Sequence, residues 1–324
     1  MKNRLSYSSV ERYNTCPRAY FYHDIAKIRE KVIGSALVFG SAMDAALNAL
    51  MAPGSKEDPY KVFEDNFRTA KINDVEENLA TTSNVRYGTG DFDISVLDED
   101  TTKRLHKYIE QADDLIQKKK AKLLTAKDER VYNFLSWHCL RAKGRLMLDA
   151  YIQEIKPRVK KVIAVQKSFI LENEDEDKFV GYIDMICEWE DGRIVVFDHK
   201  TTSTNYNENS VKESRQLATY FAVEDSITKG NVYAGFLVLH KRIRKKEPRV
   251  NVQVFIDKMP DEMIEQVFED YDTVNTQTKN GDFTKNYDSC ERPMPYGRCP
   301  FFGLCHEGKM DGLVDLTKSR NKDE

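Results

Sequence analysis

A chain of 324 residues with 40% hydrophobic residues and a mean hydropathy of -0.61 has ample length to bury one large core or two modest ones. No apolar run approaches the roughly 18 residues of a membrane span, and no signal-peptide core opens the sequence, so a cytoplasmic protein with no membrane contact is expected. A net charge of -3 argues against a general nucleic-acid sponge but leaves room for local basic patches around an acidic site.

The opening LSYSSVERYNTCPRAYFYHDI reads as a short helix capped near Ser8, then Cys16, then a second helix with Pro17 at its first position. Tyr7, Tyr13, Tyr20, Phe21 and Tyr22 supply aromatic packing there. Val38 to Leu47 reads as a helix start in which Gly40 permits close backbone approach. From about Asp58 to Gln153 the chain is mostly helical, with helix-compatible apolar spacing over Asp98 to Leu124 and Asp128 to Ile155. Ser83 to Ser95, rich in Gly, Asn, Thr and Asp, reads as an exposed loop, and Lys118-Lys119-Lys120 as a solvated helix end. Cys139 beside Trp137 and Cys187 within a core strand read as small buried hydrophobes.

From Pro157 the period moves towards two. Lys160 to Leu171 looks like a strand, and Phe179 to Trp189 and Arg193 to Phe197 flank Glu190-Asp191-Gly192, a strong hairpin signal. Asp184 sits within the first of these strands, and the second runs into Asp198-His199-Lys200-Thr201. Alternation puts Asp198 and Lys200 on one face and His199 on the other, and the hairpin brings Asp184 towards Asp198. Two carboxylates and a backbone carbonyl, that of His199, form the hard oxygen set that Mg²⁺ or Mn²⁺ prefers. Such a metal acidifies water and neutralises charge on a scissile phosphate, and Lys200 beside it would position or deprotonate the attacking water. Acidic-x-Lys triplets also occur at Glu154 to Lys156, Glu176 to Lys178 and Glu307 to Lys309. Spacing alone therefore leaves open a strand end whose charges merely meet solvent.

Val211 to Thr228 reads as a helix that places Gln216 and Tyr220 on one face. Val232 to Leu239 and Val250 to Ile256 look like two more strands, and the connection HKRIRKKEPR is a basic tip. Its Lys241, Arg242, Arg244, Lys245 and Lys246 could grip phosphates, with solvated loop charge as the alternative. Pro260 opens a last helix towards Gln277, and Asp311 to Glu324 reads as a frayed polar tail. Between them SCERPMPYGRCPFFGLC places Cys290, Cys299 and Cys305 in a loop-rich stretch, where a reducing compartment favours thiolate ligands over disulfides. Cys16 would complete a four-coordinate set. No G-x-x-x-x-G-K-[ST] phosphate loop is present.

Gly181-x-x-Asp184, Asp198-x-Lys200-Thr201 and Gln216-x-x-x-Tyr220 together resemble the PD-(D/E)XK nucleases of the RecB type, including the CRISPR-associated exonucleases and their phage relatives. The resemblance implies an α/β fold: a restriction-endonuclease-like mixed sheet flanked by helices, with a helical insertion and an iron-sulfur staple. It divides the chain into an N-terminal segment (1–35), a mainly helical insertion (36–156), a nuclease core (157–280), a cysteine segment (281–310) and a tail (311–324). It implies metal-dependent hydrolysis of DNA phosphodiesters by an exonuclease, with Asp184, Asp198, Lys200, Gln216 and Tyr220 at the catalytic pocket. Recombination, repair or phage DNA processing would be its setting, in a bacterial or phage-infected cell. The substrate would carry a free end or a single-stranded region, and the partners would be a recombinase, helicase or single-strand-binding protein. Cys16, Cys290, Cys299 and Cys305 take the role of 4Fe-4S ligands, with a structural Zn²⁺ site as the chemical alternative. Related nucleases often carry a metal-binding His where this chain has Asp44, a harder ligand that still suits Mg²⁺. Gln166 stands near where some carry a Glu. These two departures keep open a lapsed, DNA-binding scaffold subunit; a CRISPR-adaptation nuclease is the other alternative.

Overall fold

The computed structural model describes residues 3–67, 85–228, 232–243, 250–291 and 298–317. A two-residue strand β1 (Arg4–Leu5) leads into α1 (Tyr7–Thr15) and α2 (Pro17–Tyr20). Ser6, not Ser8, caps α1, because Ser6 and Ser9 form a reciprocal capping box. Strands β2 (Ile28–Glu30) and β3 (Ile33–Gly34) precede α3 (Ser35–Met51) and α4 (Pro59–Phe67). After β4 (Val85–Arg86) come α5 (Glu99–Ile109), α6 (Ala112–Ala121) and the 29-residue α7 (Ala126–Glu154). The helix-compatible stretch from Asp98 to Leu124 is thus built as two helices. Asp113 and Asp114 favour a fresh helix start and Lys118 to Lys120 fill its last turn, so both ends of α6 suit its dipole.

The remaining elements build the sheet: β5 (Val159–Glu172), β6 (Lys178–Trp189), β7 (Ile194–Thr202), α8 (Arg215–Thr228), β8 (Val232–Ile243) and β9 (Val250–Asp257). Then follow α9 (Asp261–Lys279), α10 (Tyr287–Glu291), α11 (Phe302–Glu307) and β10 (Leu313–Asp315). β5 pairs with β6, β6 with β7 and β8 with β9, all antiparallel, whereas β7 and β8 run parallel with α8 as their crossover. β1 adds to β6 in parallel at Lys178 and Phe179. β5 holds one edge of β6 throughout, so β1 and β7 share the other edge. β7 stops pairing at Met185↔Phe197, and the interval between β1 and β7 leaves Asp184 unpaired on that edge.

Apolar runs on β7 and β8 are continuous because both faces are covered. Val195, Phe197, Leu237 and Leu239 face α3, α4 and α7, in a core with Phe39, Phe63, Leu148 and Tyr151. Val196, Phe236 and Val238 face α1, α8 and α9, in a second core with Val10, Leu217 and Val274. The result is a mixed sheet between two helical layers. Cys139 and Cys187 are buried as expected.

Two expected loops are structured. The described part of the Ser83 to Ser95 stretch buries Val85, Tyr87 and Phe92, and Phe92 stacks on Tyr132 with ring centroids 5.0 Å apart, so its aromatic residues outweigh its turn-forming composition. In the expected tail, Leu313 is 4% exposed and β10 pairs antiparallel with β2, so the described part of this stretch, residues 311–317, is not frayed. Among the described residues no helix is long and apolar enough to cross a membrane.

Gly181 has a packing reason. It faces Phe169 across the β5–β6 ladder, and a Cβ there would lie 2.5 Å from the Phe169 ring. Gly181→Ala is therefore expected to destabilise the fold by about 1–3 kcal/mol in urea titration, as overpacking of a core does. Gly90→Ala, with open space around it, is expected to change stability by less than about 0.5 kcal/mol. Equal stability of the two variants would refute the packing role.

Candidate active site

The unpaired interval of β6 is where the acidic residues converge. Extending the β6–β7 register one step beyond Met185↔Phe197 sets Asp184 across from Asp198. The backbone N–H of His199 donates to Asp184 Oδ2 at 2.9 Å. From β5, Gln166 lies opposite Asp184 with its backbone in the left-handed region at φ 46, where a non-glycine residue is strained. This bend carries its amide over the carboxylates: Nε2 donates to Asp44 Oδ1 and Oδ2 at 3.2 and 3.1 Å and to Asp184 Oδ1 at 3.4 Å. Asp44 arrives from α3. Gly40, one turn earlier, keeps that helix close to Thr201 of β7.

Charge in this pocket is crowded. Burial, then Asp184 and Asp198, push the Asp44 carboxyl up to about 7. Burial raises Asp184 as well, against the His199 N–H and Lys200. Asp198 is 2% exposed. Burial and Asp184 push it up to about 6, against the pull of Lys200. Burial pulls the Lys200 pKa down, but Asp198 Oδ2 at 2.7 Å prevails and holds Lys200 above its ordinary value. Lys200 Nζ also donates to Gln216 Oε1 at 2.9 Å, and Gln216 Nε2 donates to the Tyr220 hydroxyl at 2.8 Å. The expected helix pair on α8 therefore reaches the site as a relay onto Lys200.

On the other face of β7, His199 packs against α7. Its Nε2 lies 3.1 Å from the Tyr151 hydroxyl, and burial lowers its pKa to about 4, so the ring is neutral. Among the described residues, only Asp44, Asp184 and a ring nitrogen of His199 form a group of three ligand atoms lying within 4.8 Å of one another. Asp198 is not in that group; its oxygen is engaged with Lys200. Two buried carboxylates bridged by an amide N–H, with a third beside them, are the chemistry of a cation site, and the donors fit a divalent ion.

The sequence matches the family profile of the PD-(D/E)XK nuclease superfamily over residues 4–306. The chain belongs to this superfamily. A solved structure from Eubacterium rectale, described as a candidate exonuclease, aligns at 12% identity over 86% of this chain and 88% of that one, with a TM-score of 0.34. The structure of SSO0001 aligns at 13% identity over 57% and 74%, with a TM-score of 0.26. At such scores the membership rests on the profile match. No curated protein matches significantly.

Other residues singled out in this PD-(D/E)XK nuclease fall into two groups. Lys241 lies back over the Phe39 ring at 5.0 Å, its pKa lowered by burial, while Arg242 is exposed; Arg244, Lys245 and Lys246 lie outside the described residues. Cys16, Cys290, Cys299 and Cys305 are free thiols where the two ends of the chain meet. That seam is held by Arg18 N–H to the Thr284 carbonyl (3.0 Å) and Tyr13 hydroxyl to the Asp282 carbonyl (2.7 Å). No three of the cysteine sulfurs lie within 4.8 Å of one another, so a tight tetrahedral site is not assembled. Tyr7 of α1 was missed by sequence reasoning; Lys200, Arg215 and Asp198 all bear on its hydroxyl.

Because the folded pKa of Asp44 lies above its unfolded value, the native state holds a proton that the unfolded chain releases. Native stability attributable to this group is thus lost as pH rises from about 4 to about 7. Asp44→Asn removes that loss. In EDTA the variant is expected to gain on wild type across this window, by on the order of 1–2 kcal/mol at pH 8 after discounting for solvent screening. Urea titrations at pH 5 and pH 8 measure the difference; a gap that does not widen with pH would refute the repelled state of Asp44.

Proposed function

We propose that this protein is a Mg²⁺- or Mn²⁺-dependent deoxyribonuclease that trims DNA from a free end or single-stranded region. The observation that carries this reading is the convergence of Asp44 and Asp184 beside the Asp198–Lys200 pair, at the point where β6 parts from β7. Asp44 and Asp184 would hold the ion, with Asp198 and the His199 backbone carbonyl beside them. When bound, it supplies Lewis-acid neutralisation of phosphate charge and acidifies water.

The chain's own groups do the rest. Lys200 is kept cationic by Asp198 and aimed by Gln216, so it offers charge to the phosphate and orients water; it does not act as a base. Tyr220 is buried and holds its proton far above neutrality, which suits it to fixing Gln216 rather than to proton transfer. Exposed Arg242 and the basic residues following it would meet the DNA backbone. With no phosphate-loop motif in this chain, a helicase, recombinase or single-strand-binding partner would be a separate chain, consistent with recombination, repair or phage DNA processing.

At the joined ends, Cys16, Cys290, Cys299 and Cys305 would hold a 4Fe-4S cluster. Cys290 feels the other three thiols, and Cys16 and Cys299 line a cavity of about 320 Å³. A preformed zinc site needs sulfurs only about 3.8 Å apart, given Zn–S bonds of about 2.3 Å. Iron, sulfide and zinc analysis of anaerobically purified protein decides between them.

The test of the enzyme is digestion of end-labelled single-stranded and duplex DNA with Mg²⁺ or Mn²⁺ against EDTA. Wild type should trim only with metal, and Lys200→Ala should lose at least about 10²-fold in rate with its circular dichroism unchanged. Full activity in the variant would sink the assignment of Lys200. Absence of metal-dependent cleavage by wild type would favour the DNA-binding scaffold.

A further inference from the structure

The imidazole of His199 has an arrangement that the carboxylate chemistry alone does not explain. Its two ring nitrogens have different environments. Nε2 meets the Tyr151 hydroxyl at 3.1 Å, whereas Nδ1 is buried and has no hydrogen-bond partner among the described residues. The Tyr151 hydroxyl also lies 3.9 Å from Met185 Sδ. With its hydrogen turned to that sulfur, its oxygen accepts from Nε2–H, and Nδ1 then carries the lone pair. A buried nitrogen lone pair without a partner is unfavourable unless something fills it, and the ring lies within 4.8 Å of one carboxylate oxygen each from Asp44 and Asp184.

We propose that Nδ1 of His199 is a ligand of the divalent ion, and that Tyr151 is the positioning residue that sets its tautomer and ring plane. This rests on the metal-dependent nuclease reading above and deepens it. The donor set becomes Asp44, Asp184 and His199, drawn from α3, β6 and the α7-facing side of β7. Asp198 lies beside this set, paired with Lys200. Ligating histidines characteristically donate their second ring N–H to an acceptor that fixes them, and here the acceptor is a tyrosine oxygen. A nitrogen donor among carboxylates also shifts selectivity away from Mg²⁺, which takes oxygen ligands, towards Mn²⁺.

The experiment is pulsed electron paramagnetic resonance of Mn²⁺ bound to wild type, His199→Gln and Tyr151→Phe, with Mn²⁺ and Mg²⁺ affinities by calorimetry. Wild type should show nitrogen coupling from a coordinated imidazole. His199→Gln should lose that coupling and at least about tenfold in Mn²⁺ affinity, with a smaller loss for Mg²⁺. Tyr151→Phe should keep the coupling but weaken Mn²⁺ binding, while its circular dichroism matches wild type. Mn²⁺ bound without nitrogen coupling, or coupling that survives in His199→Gln, would overturn this ligand assignment and leave the nuclease reading standing. Failure of wild type to bind Mn²⁺ at all would overturn both.

Discussion

The organising constraint in this molecule is negative charge confined where water cannot fully screen it. Asp44, Asp184 and Asp198 are each raised above the ordinary carboxylate range, chiefly by burial, and Asp184 adds to the rise of the other two. Each is answered by a positive end of a different kind: an amide from Gln166, a backbone N–H from His199 and an ammonium from Lys200. None of the three cancels the crowding, since Asp44 still sits at about 7. A protein that wanted stability alone would replace such a pocket with apolar residues. Retaining it, and straining Gln166 to bridge it, makes sense where a cation is to be bound.

The glycine of the Gly181-x-x-Asp184 motif belongs to the same system through packing. Its missing Cβ admits the Phe169 ring, which meets Tyr220 edge-on at 6.3 Å. Tyr220 receives Gln216, and Gln216 receives Lys200. A backbone position in β6 thereby helps aim an ammonium on β7 through a side chain from β5 and two from α8. Motif residues that look like separate signals in one dimension are consecutive links in three.

Much of this was legible beforehand because it follows strand periodicity. The hairpin, the alternation of Asp198, His199 and Lys200, and the pairing of Gln216 with Tyr220 on one helix face all come from local repeats. What was not legible depends on departures from regular geometry or on long-range packing. Nothing in a strand-like run announces that Gln166 adopts φ 46, and nothing in α7 announces that Tyr151, among sixteen buried positions of that helix, meets His199. The composition of Ser83 to Ser95 pointed to an exposed loop because Gly and Asn are weighed by type, whereas Tyr87 and Phe92 decide the outcome by burial. Leu313 did the same for the tail.

One strand parity explains why the site has two sides. Along β7, Val196 and Asp198 share a face with Lys200 and point to the α8 core, while Phe197 and His199 point to the α7 core. Opposite charges two residues apart lie on one face and can pair, so Asp198 is ion-paired with Lys200, which also donates to Gln216. The residue between them is thrown to the other side, where α3 delivers a carboxylate and α7 delivers a hydroxyl. The acidic-x-Lys spacing therefore does more than gather charges. It sets an ammonium and its carboxylate on one face of β7 and turns the middle side chain to the other, where its ring lies near Asp44 and Asp184. In this chain that residue is a histidine.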